Sequence, residues 1–293
     1  MFLLHYIWLL YLHRLYLYQM LTVSEIFIYP IKSLGGVSVT SAQVTDRGFM
    51  HDRRWMLVDE ENVFMSQRSF STMALLQVQL KDDGLQVFHK KTEESIFIPY
   101  EPTGSQLRVE VWSDKCKAME VSTEVSEWFS IMLSRKCRLV YMPDASRRRV
   151  DSRYATNKEI TSFSDAYPFN VVGQSSLDHL NSRLKEPVSI DRFRPNLVIT
   201  GGAPFEEDEW KHFTINNISF FGVKLCARCV VTTINQQEAI QGKEPLTTLA
   251  SYRQFQKKIY FGQNLVHDGE GLVQVGDQVQ LQERKKARFT LPK

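Results

Sequence analysis

Cys226 and Cys229, separated by Ala227 and Arg228, are the residues whose type and spacing most directly suggest chemistry. A CxxC pair can supply half of a zinc site, a thiol–disulfide couple, or two thiols that only pack. A complete zinc site needs a second CxxC or a His pair. Cys116 and Cys137 are distant in sequence, and none of the seven His falls at ligand spacing from the motif. A thioredoxin-like couple usually sits at a helix N-terminus within a βαβ unit. Here β-branched residues follow at once, in VVTTI. Spacing alone leaves packing and function evenly balanced.

The elements that must position this motif read mainly as strands. SFFGVKL precedes it and CVVTTI is expected to continue as a strand after it. From Leu21 the chain breaks into short apolar segments, VSEIFIYPI, RRWMLVDE, ALLQVQL, SIFIPY and LRVEVW, each of strand length and rich in β-branched or aromatic residues. Asp82-Asp83-Gly84 reads as a hairpin turn. Thr123 to Leu133 has helical spacing, with Val125, Trp128, Phe129 and Met132 on one face and Thr123 as its N-cap. A second helix is expected around Ser175 to Leu184, with Ser175 and Asp178 in capping-box positions. A third runs from Pro245 to Phe255, with Pro in its first turn. Glycines punctuate a final strand pair ending in LVQVGDQVQL. Mostly β with about three helices, and no βαβ alternation, predicts an α+β chain built from β-barrel-like domains.

At 293 residues the chain has room for two domains. The expected division is an extension over 1–20, a β-barrel-like domain over 21–142, a polar connection over 143–158, a second domain over 159–284 and a basic tail over 285–293. A hydrophobic content of 43% and a charged content of 24% are those of a globular protein, and the net charge of +3 gives no nucleic-acid stripe. Four cysteines, unevenly spaced, do not make a disulfide scaffold, so a reducing, cytoplasmic setting is expected. Residues 1–19 are apolar and aromatic but interrupted by His5, His13 and Arg14. They lack both the run of about twenty apolar residues of a membrane span and the cleavage pattern of a secretory signal. We read them as an extension or a misassigned start, with a membrane anchor as the minority alternative.

YPIKSLGG, DRRW, SQR, SDAYPF, FRPN, CARCVVTTIN, KEPLTTLASYR, FGQN and VGD follow one another in an order that resembles MOSC-domain proteins. The branch is that of the mitochondrial amidoxime-reducing component and the bacterial YcbX-like proteins. The resemblance runs from about Val23 to Leu281; each motif is weak alone, and the order carries it. It implies an N-terminal MOSC β-barrel domain and a MOSC β-barrel domain, with molybdopterin held between them. It makes Cys229 the thiolate ligand of molybdenum, a soft donor suited to that metal. Arg228 would favour the thiolate and meet pterin or phosphate charge, while Cys226 is left a packing role. The resemblance gives Lys32 and Ser33 to the cofactor; after Pro30 they expose an ammonium, a hydroxyl and an amide, and Gly35 and Gly36 permit close approach. Arg53 matches a cofactor-contacting arginine, with Arg54 expected on the opposite face. Arg194 and Asn196 would face one pocket on either side of Pro195. Asp165 is placed near the metal as a proton-handling group with a raised pKa, or else is a turn Asp before Pro168. Gln67, Arg68 and Asn264 complete the candidate pocket. Arg147 to Arg149 would face the pterin, dock an acidic donor, or stay solvated. Ala227 stands where some relatives have Ser, so any contact there falls to the backbone amide.

The implied activity is an oxidoreductase that reduces small N-hydroxylated compounds with the molybdenum cofactor. Some YcbX-like proteins carry a ferredoxin domain, and none is recognisable here. Electrons are therefore expected from a separate ferredoxin or cytochrome b5-like protein. No nucleic acid, membrane or pyridoxal phosphate is expected to take part. The alternative is a non-catalytic carrier or sulfur-transfer module for the same cofactor.

Overall fold

The computed structural model describes residues 20–289, so the expectations for residues 1–19 lie outside the described residues. Among the described residues strands predominate, joined by three α-helices: α1 (Thr123–Met132), α2 (Gln174–Asn181) and α3 (Leu246–Arg253). No helix among them is long and apolar enough to cross a membrane.

The largest sheet has nine strands. Along its main path the order is Val37–Val39, Thr22–Ile28, Leu197–Thr200, Phe169–Gly173, Lys258–Asp268, Ile218–Arg228, Trp210–Ile215 and Val279–Arg284. The opening strand therefore joins the sheet built by the second half of the chain, with Ile26 opposite Leu197. Ser41–Thr45 likewise pairs with Gly271–Gln274. Strands from both halves thus share sheets, which ties the loops after Ile28 to the loops of the second half. The core of this sheet is aromatic: Phe169, Phe213, Phe220 and Trp210 are all buried, and each such ring contributes about 1.5–3 kcal/mol by leaving water.

The rest of the first half forms a four-stranded sheet (Trp55–Val58, Arg138–Tyr141, Asp114–Glu120, Gln106–Val111) and a three-stranded one (Leu76–Leu80, Gly84–His89, Ser95–Pro99). All four residues of Trp55–Val58 are buried, because alternate side chains enter different cores. Trp55 and Leu57 pack with Val78, Val87 and Phe129, while Met56 and Val58 pack with Val109, Val140 and Phe163. The expected α1 face is realised, with Val125 and Phe129 buried and Trp128 and Met132 against the same core.

Several local expectations need correction. The N-cap of α1 is Ser122, whose extended backbone lets its Oγ accept from Val125 N at 3.2 Å; Thr123 is already helical. The capping box of α2 does not form, because the helix begins a residue early at Gln174 and Asp178 instead accepts from the Gln174 amide. α3 ends at Arg253, where the chain leaves into the short strand Gln254–Phe255. The last two strands do not pair with each other: Gly271–Gln274 joins Ser41–Thr45, and Val279–Arg284 joins Trp210–Ile215. Val230–Thr233 is a 3-10 turn, closed by Thr232 N donating to Cys229 O, and not a strand.

Candidate functional site

Loops from both halves form a cleft of about 160 Å³, open to solvent, lined by Lys32, Ser33, Arg53, Arg68, Asp165, Arg194, Asn196, Arg228, Cys229 and Asn264. Lys32 and Ser33 follow the first strand, Arg53 precedes Trp55–Val58, Asp165 lies in the loop before Phe169–Gly173, and Cys229 ends Ile218–Arg228. Four lining residues adopt left-handed backbone: Ser33 (φ 68), Arg53 (φ 49), Trp112 (φ 57) and Arg194 (φ 52). Each such conformation costs roughly 1–2 kcal/mol for a residue with a Cβ. Packing elsewhere offsets that strain and aims these side chains into one space.

Three of the arginines expected at the cofactor differ in their partners. Arg53 is committed: its Nη1 donates to Asp52 at 2.7 Å and to Asn196 Oδ1 at 3.1 Å, and its Nη2 to Arg194 O at 3.2 Å. Arg228 is also committed, donating to Phe261 O, Phe193 O and Asn170 Oδ1 at 2.6–2.8 Å. These bonds tie the Cys229 end of its strand to Phe169–Gly173, Lys258–Asp268 and the Phe193 turn, and Arg228 also lines the cleft. Gly262 makes this possible: at φ +72, with Val171 O 2.6 Å and Arg228 Nη2 3.2 Å from where a Cβ would stand, it admits no larger residue. Arg194 is the free one. Its guanidinium lies 4.3 Å over the Tyr29 ring and makes no hydrogen bond or ion pair among the described residues. Burial pulls it down to about 10, so it stays charged at neutral pH. A charged fork without partners among the described residues, at the wall of a cleft, has the chemistry to receive an oxyanion.

In the same cleft Lys32 Nζ donates to Asp165 Oδ1 at 2.6 Å and to Phe163 O at 2.8 Å. Burial lowers the Lys32 ammonium below its ordinary range, against the pull of Asp165. Desolvation acts to raise Asp165, but the Lys32 charge and hydrogen bond, Arg68 at 3.7 Å and the Trp112 indole at 3.3 Å outweigh it. The carboxyl is held well below the usual carboxylate range, and its side chain is 63% exposed to the cleft. The raised pKa expected for Asp165 is thus reversed, because the cations around it win over burial.

Cys226 and Cys229 both line the cleft and are half-buried. Burial raises the Cys226 thiol, which Asn264 contacts by a hydrogen bond. A bulge between Leu225 and Ala227 interrupts pairing at Cys226, so the two thiols do not simply alternate along a regular strand. Among the described residues no group of three His, Cys, Asp or Glu side chains gathers as a metal cluster, and the CxxC pair gains no zinc partners.

Two expected pocket residues are supports. Gln67 is buried and does not line the cleft; its amide donates to Ser33 O and exchanges hydrogen bonds with Gln236, because the 3-10 turn brings that residue back beneath the Ser33 loop. Asn196 lines the cleft but is fully used, accepting from Arg53 and Asn170 N and donating to Phe27 O. Of the RRR cluster, Arg147 pairs with Asp46 at the surface, whereas Arg148 is buried and holds the Asp165 loop through Ser162 O, Ser164 O and Asp165 O. Arg54 turns away to Tyr141 and Asp144. Sequence reasoning missed Trp112 and Phe64, 4.6 Å apart on the rim, and Arg192, whose Nε donates to Thr232 O behind the Cys229 turn. The LRVEVW strand, expected to include Trp112, stops at Val111.

Residues 20–136 match the MOSC N-terminal beta barrel domain and residues 158–280 the MOSC domain. The chain belongs to the MOSC-domain family. It is 33% identical to mitochondrial amidoxime-reducing component 1 of Mus musculus over 90% of this chain and 83% of that protein. The human protein of the same name is 31% identical over 92% of this chain and 85% of its own length. The molybdenum cofactor sulfurase of Arabidopsis thaliana is 30% identical over 82% of this chain but only 32% of that longer protein. The mostly β fold with its two MOSC units agrees with the architecture expected from the motif order.

Proposed function

We propose that this MOSC protein is a molybdenum-cofactor oxidoreductase that reduces small N-hydroxylated compounds with electrons from a separate protein. The observation that carries the reading is the cleft itself, lined by both Cys229 and Arg194, whose guanidinium has no hydrogen-bond partner among the described residues. These donors fit the cofactor: a thiol for a soft metal, and an unpaired guanidinium with the Ser33 hydroxyl for its anionic end. Similarity to a molybdenum cofactor sulfurase supports the cofactor, and similarity to amidoxime-reducing components supports an N-hydroxylated substrate.

When bound, the cofactor supplies the electron-pair reduction of the N–O bond. The chain's own residues supply binding and protons. Arg194, stacked on Tyr29, fixes the anionic end, and Ser33, whose carbonyl accepts from the Gln67 amide, offers its hydroxyl within the same cleft. Loss of an N–OH oxygen as water consumes protons. Asp165, being ionised, enters as an acceptor that orients a substrate N–H or O–H at its exposed carboxylate. The Lys32 ammonium beside it, eased by burial, is the neighbouring acid. Trp112 and Phe64, packed against each other, give the cleft an apolar rim.

The test is turnover of an N-hydroxylated amidine by protein from a host that makes the cofactor, with a chemical reductant standing in for the donor. Arg194→Ala should lower molybdenum content together with turnover. Full molybdenum without turnover in the wild type would turn the reading towards a cofactor carrier.

A further inference from the structure

Arg148 lies outside both matched MOSC stretches, in the connection between them, where Arg148–Arg149 pairs with Ile160–Thr161. Its side chain is buried, and its guanidinium reaches into both halves of the chain. On the side of the second half, Nη1 donates to Ser162 O at 3.1 Å and to Ser164 O, and Nη2 to Asp165 O at 3.0 Å. On the side of the first half, Nε donates to Asp114 Oδ2 at 2.8 Å. Asp114 pairs with Val111 across the two-residue turn Trp112-Ser113, which Trp112 enters at φ 57. From that turn the Trp112 indole N–H donates back to Asp165 Oδ1 at 3.3 Å. The contacts close a ring. Arg148 grips the Asp165 loop by its carbonyls, and the hairpin it holds through Asp114 grips the Asp165 carboxylate. A planar fork with fixed donor directions can do this, where an ammonium would act as a point charge. The two carboxylate oxygens end up unlike. Oδ1 accepts from both Lys32 and Trp112, whereas Oδ2 has Arg68 at 3.7 Å, beyond hydrogen-bond reach, and no hydrogen bond among the described residues.

We propose that Arg148 is a positioning residue for substrate: by tying the Trp112 turn to the Asp165 loop, it holds Oδ1 against Lys32 and leaves Oδ2 to accept from the substrate's N–H or O–H. This rests on the reading of Asp165 as the acceptor that orients substrate. A displacement of about 1 Å at such a group is enough to weaken a productive complex severely. Arg148, Asp114 and Trp112 all act through one carboxylate, so their effect on substrate disappears once that carboxylate is replaced.

Kinetics of molybdenum-loaded protein on an N-hydroxylated amidine, with a chemical reductant, test it. Asp114→Ala alters a half-exposed side chain and leaves the three carbonyl bonds of Arg148 in place, so the fold is kept. It should raise KM about tenfold, the loss of one hydrogen bond to a charged group, with kcat and molybdenum content near those of the wild type. Asp114→Asn, which keeps an acceptor for Nε, should recover most of that loss. Arg148→Lys should match Asp114→Ala; if it does not fold, the Asp114 variants decide. In an Asp165→Asn background, Asp114→Ala should raise KM no further. An unchanged KM in Asp114→Ala overturns the proposal, as does a further rise in that background, which a merely structural role would give. A second readout needs no metal: acrylamide quenching of Trp112, taken as the difference from the matching Trp112→Phe protein. It should rise in Asp114→Ala and return in Asp114→Asn, and unchanged quenching overturns the clamp. A loaded wild type without turnover refutes the proposed function instead, and the quenching alone then decides the clamp.

Discussion

Replacing Lys32 by Met and Asp165 by Asn, singly and together, isolates the ion pair at the wall of the cleft. Lys32 is buried and its Nζ lies 2.6 Å from Asp165 Oδ1, which favours a strong coupling. Asp165, however, is 63% exposed on its side chain, and water screens that end of the pair. A fully buried pair broken on one side costs about 3–5 kcal/mol, and an exposed pair contributes about 0–1 kcal/mol. The half-exposed geometry puts the coupling between these, at about 1–2 kcal/mol. The assay is denaturant unfolding of the four proteins at pH 7, with the coupling taken from the double-mutant cycle. The sign of its pH dependence follows from Asp165. A carboxyl held low in the folded state contributes stability that is fully present above its unfolded pKa, near 3.8, and is lost only as pH falls through the lower folded value. The coupling should therefore be as large at pH 5 as at pH 7. A coupling below about 0.3 kcal/mol, within the error of additivity, would refute the claim that Lys32 holds Asp165 ionised, and so would its disappearance by pH 5.

Two further predictions concern the frame. Buried Glu207, beside Asp208, is pushed up to about 7 by desolvation and by that neighbour; being raised, it takes up a proton on folding and weakens the fold as pH rises from about 4.5 to 7. Glu207→Gln should remove this loss, gaining on the order of 3 kcal/mol over the wild type at pH 8 and little at pH 4.5, as read by unfolding midpoints across that range; a constant difference would contradict it. Ser122→Ala should cost about 1 kcal/mol by uncapping α1, while Thr123→Ala should cost much less, and equal losses in thermal melts would return the cap to Thr123.

Much of the site was legible because its residues sit in short motifs whose order survives reading. Lys32, Ser33, Arg53, Asp165, Arg194 and Cys229 do meet in one cleft. What sequence withheld was set by partners far away along the chain. Asp165 is governed by Lys32, 133 residues earlier, so its charge state could not be read from SDAYPF. Gln67 looked like a pocket residue until Gln236 arrived from the other half to occupy its amide. Thr22–Ile28 has the pattern of a strand, yet nothing local says that its neighbour is Leu197–Thr200. VVTTI has the composition of a strand but is a 3-10 turn, since Cys229 O is taken by Thr232 N and Oγ1 in place of a ladder partner. Left-handed backbone at Arg194 and Trp112 carries no glycine or asparagine to announce it.

The central claim is that Cys229 ligates the metal of a molybdenum cofactor, and molybdenum content per chain beside turnover tests it most directly. Protein from a cofactor-competent host should carry near-stoichiometric molybdenum and reduce an N-hydroxylated amidine. Cys229→Ala should lose that turnover while keeping the folded melting profile, and Cys226→Ala should largely retain it. Wild-type turnover in Cys229→Ala, or zinc in place of molybdenum in the folded wild type, would contradict the account.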